Sequence, residues 1–210
     1  MNNLSPNQLK FLETVTNKCN LLGVTLYLAD SQGVEFQNTK IMCNGYFVDN
    51  PVPILAVATK KDFKDWFLVL LHEYSHMEQW EEKSSAWINN KMEKGEASDL
   101  IDSWLNHEIE LDEKTLDKIF QINIELESDC EKRAIHNIAK FNLDINHQEY
   151  AQKANSYVLF YHLVKKHRKW YKIGQEPYSL KEVWSKMPNH MNLDYTQIAP
   201  ELSDVLEKCF

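Results

Sequence analysis

The residues HEYSH at positions 72–76 have the types and the spacing of a hydrolytic metal site. Residues 63–80 contain neither glycine nor proline, which predicts that this segment is a helix. His72 and His76 then lie one turn apart on the same face, where two imidazoles can bind one divalent metal ion. Glu73 is rotated by about 100° from His72 around the helix axis. It is therefore poorly placed to bind the metal and well placed to take a proton from a metal-bound water.

The surroundings of this helix decide whether so short a motif has meaning, because H-E-x-x-H also occurs by chance. Residues 66–71 are apolar on every side, which predicts a helix that is buried all round. Polar side chains in a buried helix cost free energy unless they are satisfied. A metal ion and its water would satisfy them, so we predict a metal site. Asp62 and Asp65 are expected to cap this helix and to place an acid in its first turn.

A metal held by two histidines needs a third protein ligand, and a hydrolytic site leaves one position open for water. The acids of a long predicted helix offer two registers, Glu125 with Asp129 and Glu127 with Glu131. Helical phase places Glu127 within an apolar stripe and Glu131 towards the edge of that stripe. Glu125 and Asp129 point the other way, among basic and polar residues.

A carboxylate on an apolar face needs a partner, and a zinc ion would serve as one. Cys130 and Ala134 lie on the same face and are small enough to let this helix approach the histidine helix closely. The alternative is that Glu127 pairs with a lysine or an arginine in the interior. We therefore predict Glu127 as the third ligand, with Glu125 as the competing candidate.

Together the two blocks resemble the gluzincin metallopeptidases. Residues 127–134, ESDCEKRA, are similar to the E-x-x-A-[DN]-x-x-A form of the compact members, with cysteine in place of the first alanine. The short chain is similar to the minigluzincins and to ImmA/IrrE-type peptidases, and it resembles metallopeptidases of phage genomes. Glu78 departs from the pattern, because these families usually have an apolar residue there, and Glu131 stands where they have an aspartate or asparagine.

The resemblance implies a zincin-like fold, in which a small N-terminal β-sheet packs on a helical bundle around the H-E-x-x-H helix. It implies that Zn²⁺ is bound by His72, His76 and Glu127, and that Glu73 is the general base. Glu131 would brace one of the ligand histidines. The substrate would be a peptide or a protein.

The oxyanion formed in such a reaction needs a donor in addition to the metal. The sequence offers Tyr157, Tyr161 and His162 on one predicted helix. Aromatic side chains at helical spacing are more often part of a core, so this assignment stays open. The basic run at 165–169 is expected to be a solvated helix end that favours the helix dipole, with an acidic partner or nucleic acid as the alternative.

The elements that must position these residues begin with a helix at residues 5–22. Ser5 and Pro6 are its expected start and Gly23 its end. Its predicted inner stripe consists of Leu9, Leu12, Val15, Cys19 and Leu22. Strands are predicted at 24–28, 46–48 and 54–58. Beyond residue 81, helices are predicted at 98–104, 112–140, 148–170 and 180–187, so the fold class is α+β.

The composition limits the classes of protein. The chain has 210 residues, which suits one domain over 1–210, and a net charge of −8, which argues against non-specific nucleic-acid binding. We expect no signal peptide and no membrane span. The four scattered cysteines indicate neither a disulfide framework nor a thiolate zinc site, and they favour a reducing cytoplasm.

Three interpretations of function are open. The first is a zinc-dependent peptidase. The second is a regulatory or binding protein that keeps a zincin fold and its metal without cleaving a substrate. The third is a metal-free helical interaction protein in which the motif is a coincidence. The intact Glu73 favours the first over the second, and the substrate and the oligomeric state are open.

Overall fold

The computed structural model of the chain describes residues 4–37, 39–93 and 95–210. The chain divides into two compact units: Met1–Ser84 with His136–Asp144, and Ser85–Ile135 with Ile145–Phe210. Helices and small sheets are both present, which confirms the α+β class. That residues 1–210 form a single domain stays a prediction.

The first unit opens with the helix α1, Pro6–Leu22. The Ser5 hydroxyl accepts from the Gln8 amide and the Gln8 side chain accepts from the Ser5 amide, so both cap the helix start. Gly23 ends it in the left-handed conformation, with φ of 69°. The predicted stripe is wrong at Leu9, which is 51% exposed. Phe11 takes the buried face instead, because its ring packs edge-on against three other aromatic rings.

A three-stranded sheet follows α1. Its strands are β1 (Thr25–Ala29), β4 (Gly45–Val48) and β5 (Ile54–Ala58), in the order β1-β5-β4. β5 is parallel to β1 and antiparallel to β4. The three predicted strands are therefore confirmed. Two further strands of two residues each, β2 (Val34–Glu35) and β3 (Met42–Cys43), form a separate antiparallel pair.

The helix α2, Phe63–Glu82, carries the H-E-x-x-H motif and packs on β4 and β5. It begins after Asp62 as predicted, although the Asp62 side chain makes no capping hydrogen bond, and Asp65 lies in the first turn. The expected burial on every side is incomplete. Trp66, Phe67, Leu70 and Leu71 are buried, whereas Leu68 and Val69 are partly exposed.

Gly45 is the point of closest approach between β4 and α2. A Cβ atom there would lie 2.6 Å from Val69 Cγ1 and 2.8 Å from the backbone oxygen of Ala56. Because a backbone oxygen in a central strand cannot move aside, we expect Gly45→Ala to destabilise the protein by about 1–3 kcal/mol. The measurement is the urea unfolding midpoint. Gly33→Ala is the matched control, since its first contact is the mobile end of Met42 at 3.1 Å. Equal stability of the two variants would contradict this packing.

The second unit is helical, with one short hairpin near its start. Its elements are α3 (Ser85–Asn90), β6 (Lys91–Met92), β7 (Gly95–Glu96), α4 (Ala97–Leu105), α5 (Glu113–Lys140, whose last turn belongs to the first unit), α6 (His147–His167), α7 (Lys181–Trp184) and α8 (Pro200–Leu206), followed by a 3₁₀ turn at Glu207–Cys209. All four helices predicted beyond residue 81 are present. β6 and β7 pair with each other. Each has only two residues, which is too short for a sequence pattern to predict a strand.

Caps define the starts of the two long helices. The Asp112 carboxylate accepts from the Thr115 amide at 3.0 Å and from the Thr115 hydroxyl at 2.6 Å, which confirms the predicted cap of α5. The Asn146 side chain accepts from two backbone amides at the start of α6. Among the described residues, no helix is long and apolar enough to cross a membrane.

Candidate metal centre

The two histidines of the motif face each other on α2. His72 Nε2 and His76 Nε2 are 3.1 Å apart, and the ring planes cross at 86°. Two nitrogen ligands of one tetrahedral zinc ion, each at about 2.0–2.1 Å from it, would be about 3.3 Å apart. His76 is buried and His72 is partly exposed. The pair is therefore spaced like two ligands of a single ion.

Gln79 is a neighbour of this pair that the sequence analysis did not identify. Its side-chain oxygen lies 2.8 Å from His76 Nδ1, and its side chain is completely buried. The available signal is its position three residues after His76, on the same face of the helix. The bond holds the His76 ring by the nitrogen that is turned away from His72.

Glu73 lies beside the histidines, against the first residue of β4. A Cβ atom on Gly45 would be 3.3 Å from Glu73 Cγ, so the strand passes directly over this side chain. Burial raises the pKa of the Cys43 thiol, and the charge of Glu73 raises it further. Glu73 is partly exposed.

The acids of α5 separate by helical phase as the sequence predicts. Glu127 is 8% exposed and Glu131 is 6% exposed, so both lie on the inner face. Glu125 is exposed and accepts from the Gln121 side chain at 3.0 Å. Asp129 pairs with Arg133 at 2.8 Å. The register of Glu125 and Asp129 is thus the solvated one.

Glu127 lies near two phenols of α6. The hydroxyls of Tyr157 and Tyr161 are 2.9 Å apart. Burial raises the pKa of both tyrosines, and the negative charge of Glu127 raises each pKa further. Both phenols are therefore neutral at physiological pH, which is the state in which a hydroxyl can donate to an oxyanion.

Glu131 accepts a hydrogen bond of 2.6 Å from the Tyr150 hydroxyl. Burial raises the pKa of Tyr150, and the charge of Glu131 raises it further, so the phenol stays the donor and Glu131 the acceptor. The bond between Glu131 and a ligand histidine stays a prediction.

His162, the third candidate donor, makes a hydrogen bond to a backbone carbonyl instead. Its Nε2 lies 3.1 Å from the backbone oxygen of Tyr195. Burial lowers the pKa of His162, so the ring is neutral near pH 7 and its Nε2–H donates to that carbonyl. Of the three candidates, the two tyrosines are the ones close to a predicted ligand.

Cys130 lies three residues after Glu127 on α5, so the two side chains project to the same side of that helix. The Cys130 side chain is completely buried. A cysteine thiolate is a regular zinc ligand, so Cys130 is a further candidate for the third ligand. The sequence favours Cys130 as a small residue for close packing and indicates no thiolate zinc site. The role of Glu127 as the third ligand stays a prediction.

Glu78, the residue that departs from the family pattern, is buried and paired. It is 9% exposed and accepts from the Asn137 side chain at 2.7 Å, with Lys18 Nζ at 4.0 Å. A buried carboxylate is tolerated when it has such partners. The departure at position 78 is therefore compensated within the first unit.

The basic run at the end of α6 is engaged within its own unit. Lys165 pairs with Asp117, Lys166 and His167 pair with Glu207, and Arg168 pairs with Glu110 and bonds the Trp104 carbonyl. Lys169 lies over the ring of Phe210. These contacts favour a structural role for the run over binding of a polyanion.

Comparisons with protein-family models, with curated proteins and with solved structures gave no match to this chain.

Proposed function

We propose that this protein is a zinc-dependent peptidase of the gluzincin type. The observation that carries the proposal is the geometry of α2, where two histidine nitrogens are 3.1 Å apart and Glu73 directly follows the first histidine. Two imidazoles at this separation present their ring nitrogens to one ion of the size of zinc. Glu73 lies on the neighbouring side of the same helix, within reach of a water bound to that ion.

The donors fit zinc. Imidazole nitrogens and a carboxylate oxygen make up the His₂Glu set of hydrolytic zinc sites. His72 and His76 would supply the nitrogens, and Glu127 on the buried face of α5 would supply the oxygen. When bound, zinc polarises a water molecule and lowers its pKa to about 7.

Glu73 does the proton transfers. Its carboxylate accepts a proton from the water as the water attacks a peptide carbonyl, and then it gives the proton to the leaving amine. Glu73 is partly exposed, so its carboxylate can exchange protons with solvent. The tetrahedral oxyanion needs a donor of its own, and the neutral hydroxyls of Tyr157 and Tyr161 near Glu127 are the ones we propose.

An extended peptide is the substrate class that best fits the sheet edge formed by β4 beside Glu73. β4 is the terminal strand in the order β1-β5-β4, and its first residue, Gly45, lies against Glu73. A peptide that paired with a terminal strand would gain backbone hydrogen bonds independent of its sequence. Its scissile bond would then run beside Glu73.

All four cysteines are free thiols, which supports a reducing compartment such as the cytoplasm.

The replacement Glu73→Gln tests the proposal. Gln has the size of Glu but cannot accept the proton, so we expect the variant to keep its fold and its zinc while losing at least about a hundredfold in peptidase rate. The measurement is cleavage of the proteins in a whole-cell lysate in the presence of zinc, with new N-termini mapped by mass spectrometry.

The matched control is Glu82→Gln, at the end of the same helix and outside the motif. It should cleave at the wild-type rate. If wild type and Glu73→Gln leave the same proteome equally intact, the non-catalytic interpretation with a bound metal is favoured instead.

A further inference from the structure

We infer that Gln79 is a positioning residue that fixes the tautomer of His76 and thereby makes Nε2 its ligand atom. This inference concerns the proposed metal site and rests on the proposed function for its chemical purpose. The contact between the two side chains is 2.8 Å, and both belong to α2.

The chemistry of the two groups allows one arrangement of the proton. An amide oxygen can only accept, so His76 Nδ1 must carry the hydrogen and donate it to Gln79 Oε1. A neutral imidazole has one N–H, so His76 Nε2 then holds a lone pair. That lone pair faces His72 Nε2 at 3.1 Å, on the side where a metal would bind.

Burial makes this selection strong. Gln79 is 0% exposed and His76 is 8% exposed, so water cannot replace either partner. Leaving a buried amide oxygen or ring nitrogen without its hydrogen bond is unfavourable. A His76 ring with its proton on Nε2 would lose this bond and would turn an N–H towards the metal position.

The same geometry makes the two histidines unequal before metal arrives. His76 is already in the tautomer that a metal ligand needs. His72 Nε2 lies within hydrogen-bond distance of the His76 lone pair, so in the metal-free protein His72 is the donor of that bond.

Two replacements at position 79 test the inference. Gln79→Met keeps the length of the side chain and removes the acceptor, whereas Gln79→Glu keeps an acceptor oxygen. Gln8→Met is the matched control, because Gln8 is also a buried helical glutamine of the first unit and bonds with Ser5.

Ring ¹H–¹⁵N spectra of the metal-free proteins report the tautomer, with the His76 signals identified by their loss in His76→Ala. Zinc affinity is measured by competition with a chromophoric chelator.

We expect His76 to be the Nδ1–H tautomer in wild type, in Gln79→Glu and in Gln8→Met. In Gln79→Met the Nε2–H tautomer should appear, and zinc affinity should fall about ten- to a hundredfold. Gln79→Glu should restore the affinity to near the wild-type value. A Gln79→Met protein with the wild-type tautomer, or with wild-type zinc affinity, would overturn the inference.

The outcomes separate this inference from the proposed function. If wild type shows the Nδ1–H tautomer that Gln79→Met loses but binds no zinc, the tautomer selection stands and the zinc peptidase proposal fails. If all proteins bind zinc equally well, the metal site stands and Gln79 is only a buried structural residue.

Discussion

Replacing both His72 and His76 with alanine is expected to abolish zinc binding. Wild type purified without chelator should carry about one zinc per chain, lose it to a strong chelator and regain it from added zinc. The physical reason is that the two Nε2 atoms, 3.1 Å apart, would supply half of the tetrahedral coordination sphere of the proposed zinc ion. The measurement is metal content by mass spectrometry after dialysis.

The control must separate loss of ligands from loss of fold, because His76 is buried. His136→Ala removes an exposed histidine and should leave the zinc content unchanged. The milder pair His72→Gln and His76→Gln keeps polar side chains in the helix and should also bind no zinc, with an unchanged circular dichroism spectrum. Stoichiometric zinc in a folded double variant would refute the assignment of these two ligands.

The local parts of this site could be predicted from the sequence because they lie within single helices. Helical geometry alone brings His72 and His76 together on α2 and separates Glu127 from Glu125 on α5. Caps and breakers such as Ser5, Gly23 and Asp112 mark helix ends for the same reason. No tertiary information enters either argument.

Other features depend on contacts that a linear pattern does not contain. The bond from Tyr150 to Glu131 joins two helices across 19 residues of sequence, and either residue has many other possible partners. Leu9 was expected inside because leucine is apolar, but Phe11 fills the buried face with a larger ring. The paired strands β2, β3, β6 and β7 have two residues each, which is below the length at which alternation can be read.

Replacing the third metal ligand is expected to cause the second large loss of zinc affinity. Three residues are candidates for this ligand. Glu127 and Glu125 differ in burial, with Glu127 on the inner face and Glu125 exposed. Cys130 is the third candidate, because its side chain is completely buried and a thiolate can bind zinc. Glu127 and Cys130 are three residues apart on one helix, so both project to the same side.

We expect Glu127 to be the ligand. The buried carboxylate of Glu127 would gain a cation as a partner, and a His₂Glu set would leave zinc with the Lewis acidity of a hydrolytic site. Glu127→Ala should therefore lower zinc affinity by more than the about ten- to hundredfold expected of Glu131→Ala, whose side chain would act through a ligand histidine. Glu125→Ala should change it little, because this side chain is exposed.

Cys130→Ala and cobalt substitution separate the carboxylate from the thiolate. If Glu127 binds the metal, the cobalt protein should lack a sulfur-to-metal charge-transfer band, and Cys130→Ala should keep near-normal zinc affinity with some loss of packing stability. A charge-transfer band that disappears in Cys130→Ala, together with tight zinc binding by Glu127→Ala, would assign the thiolate instead. The site would then be His₂Cys.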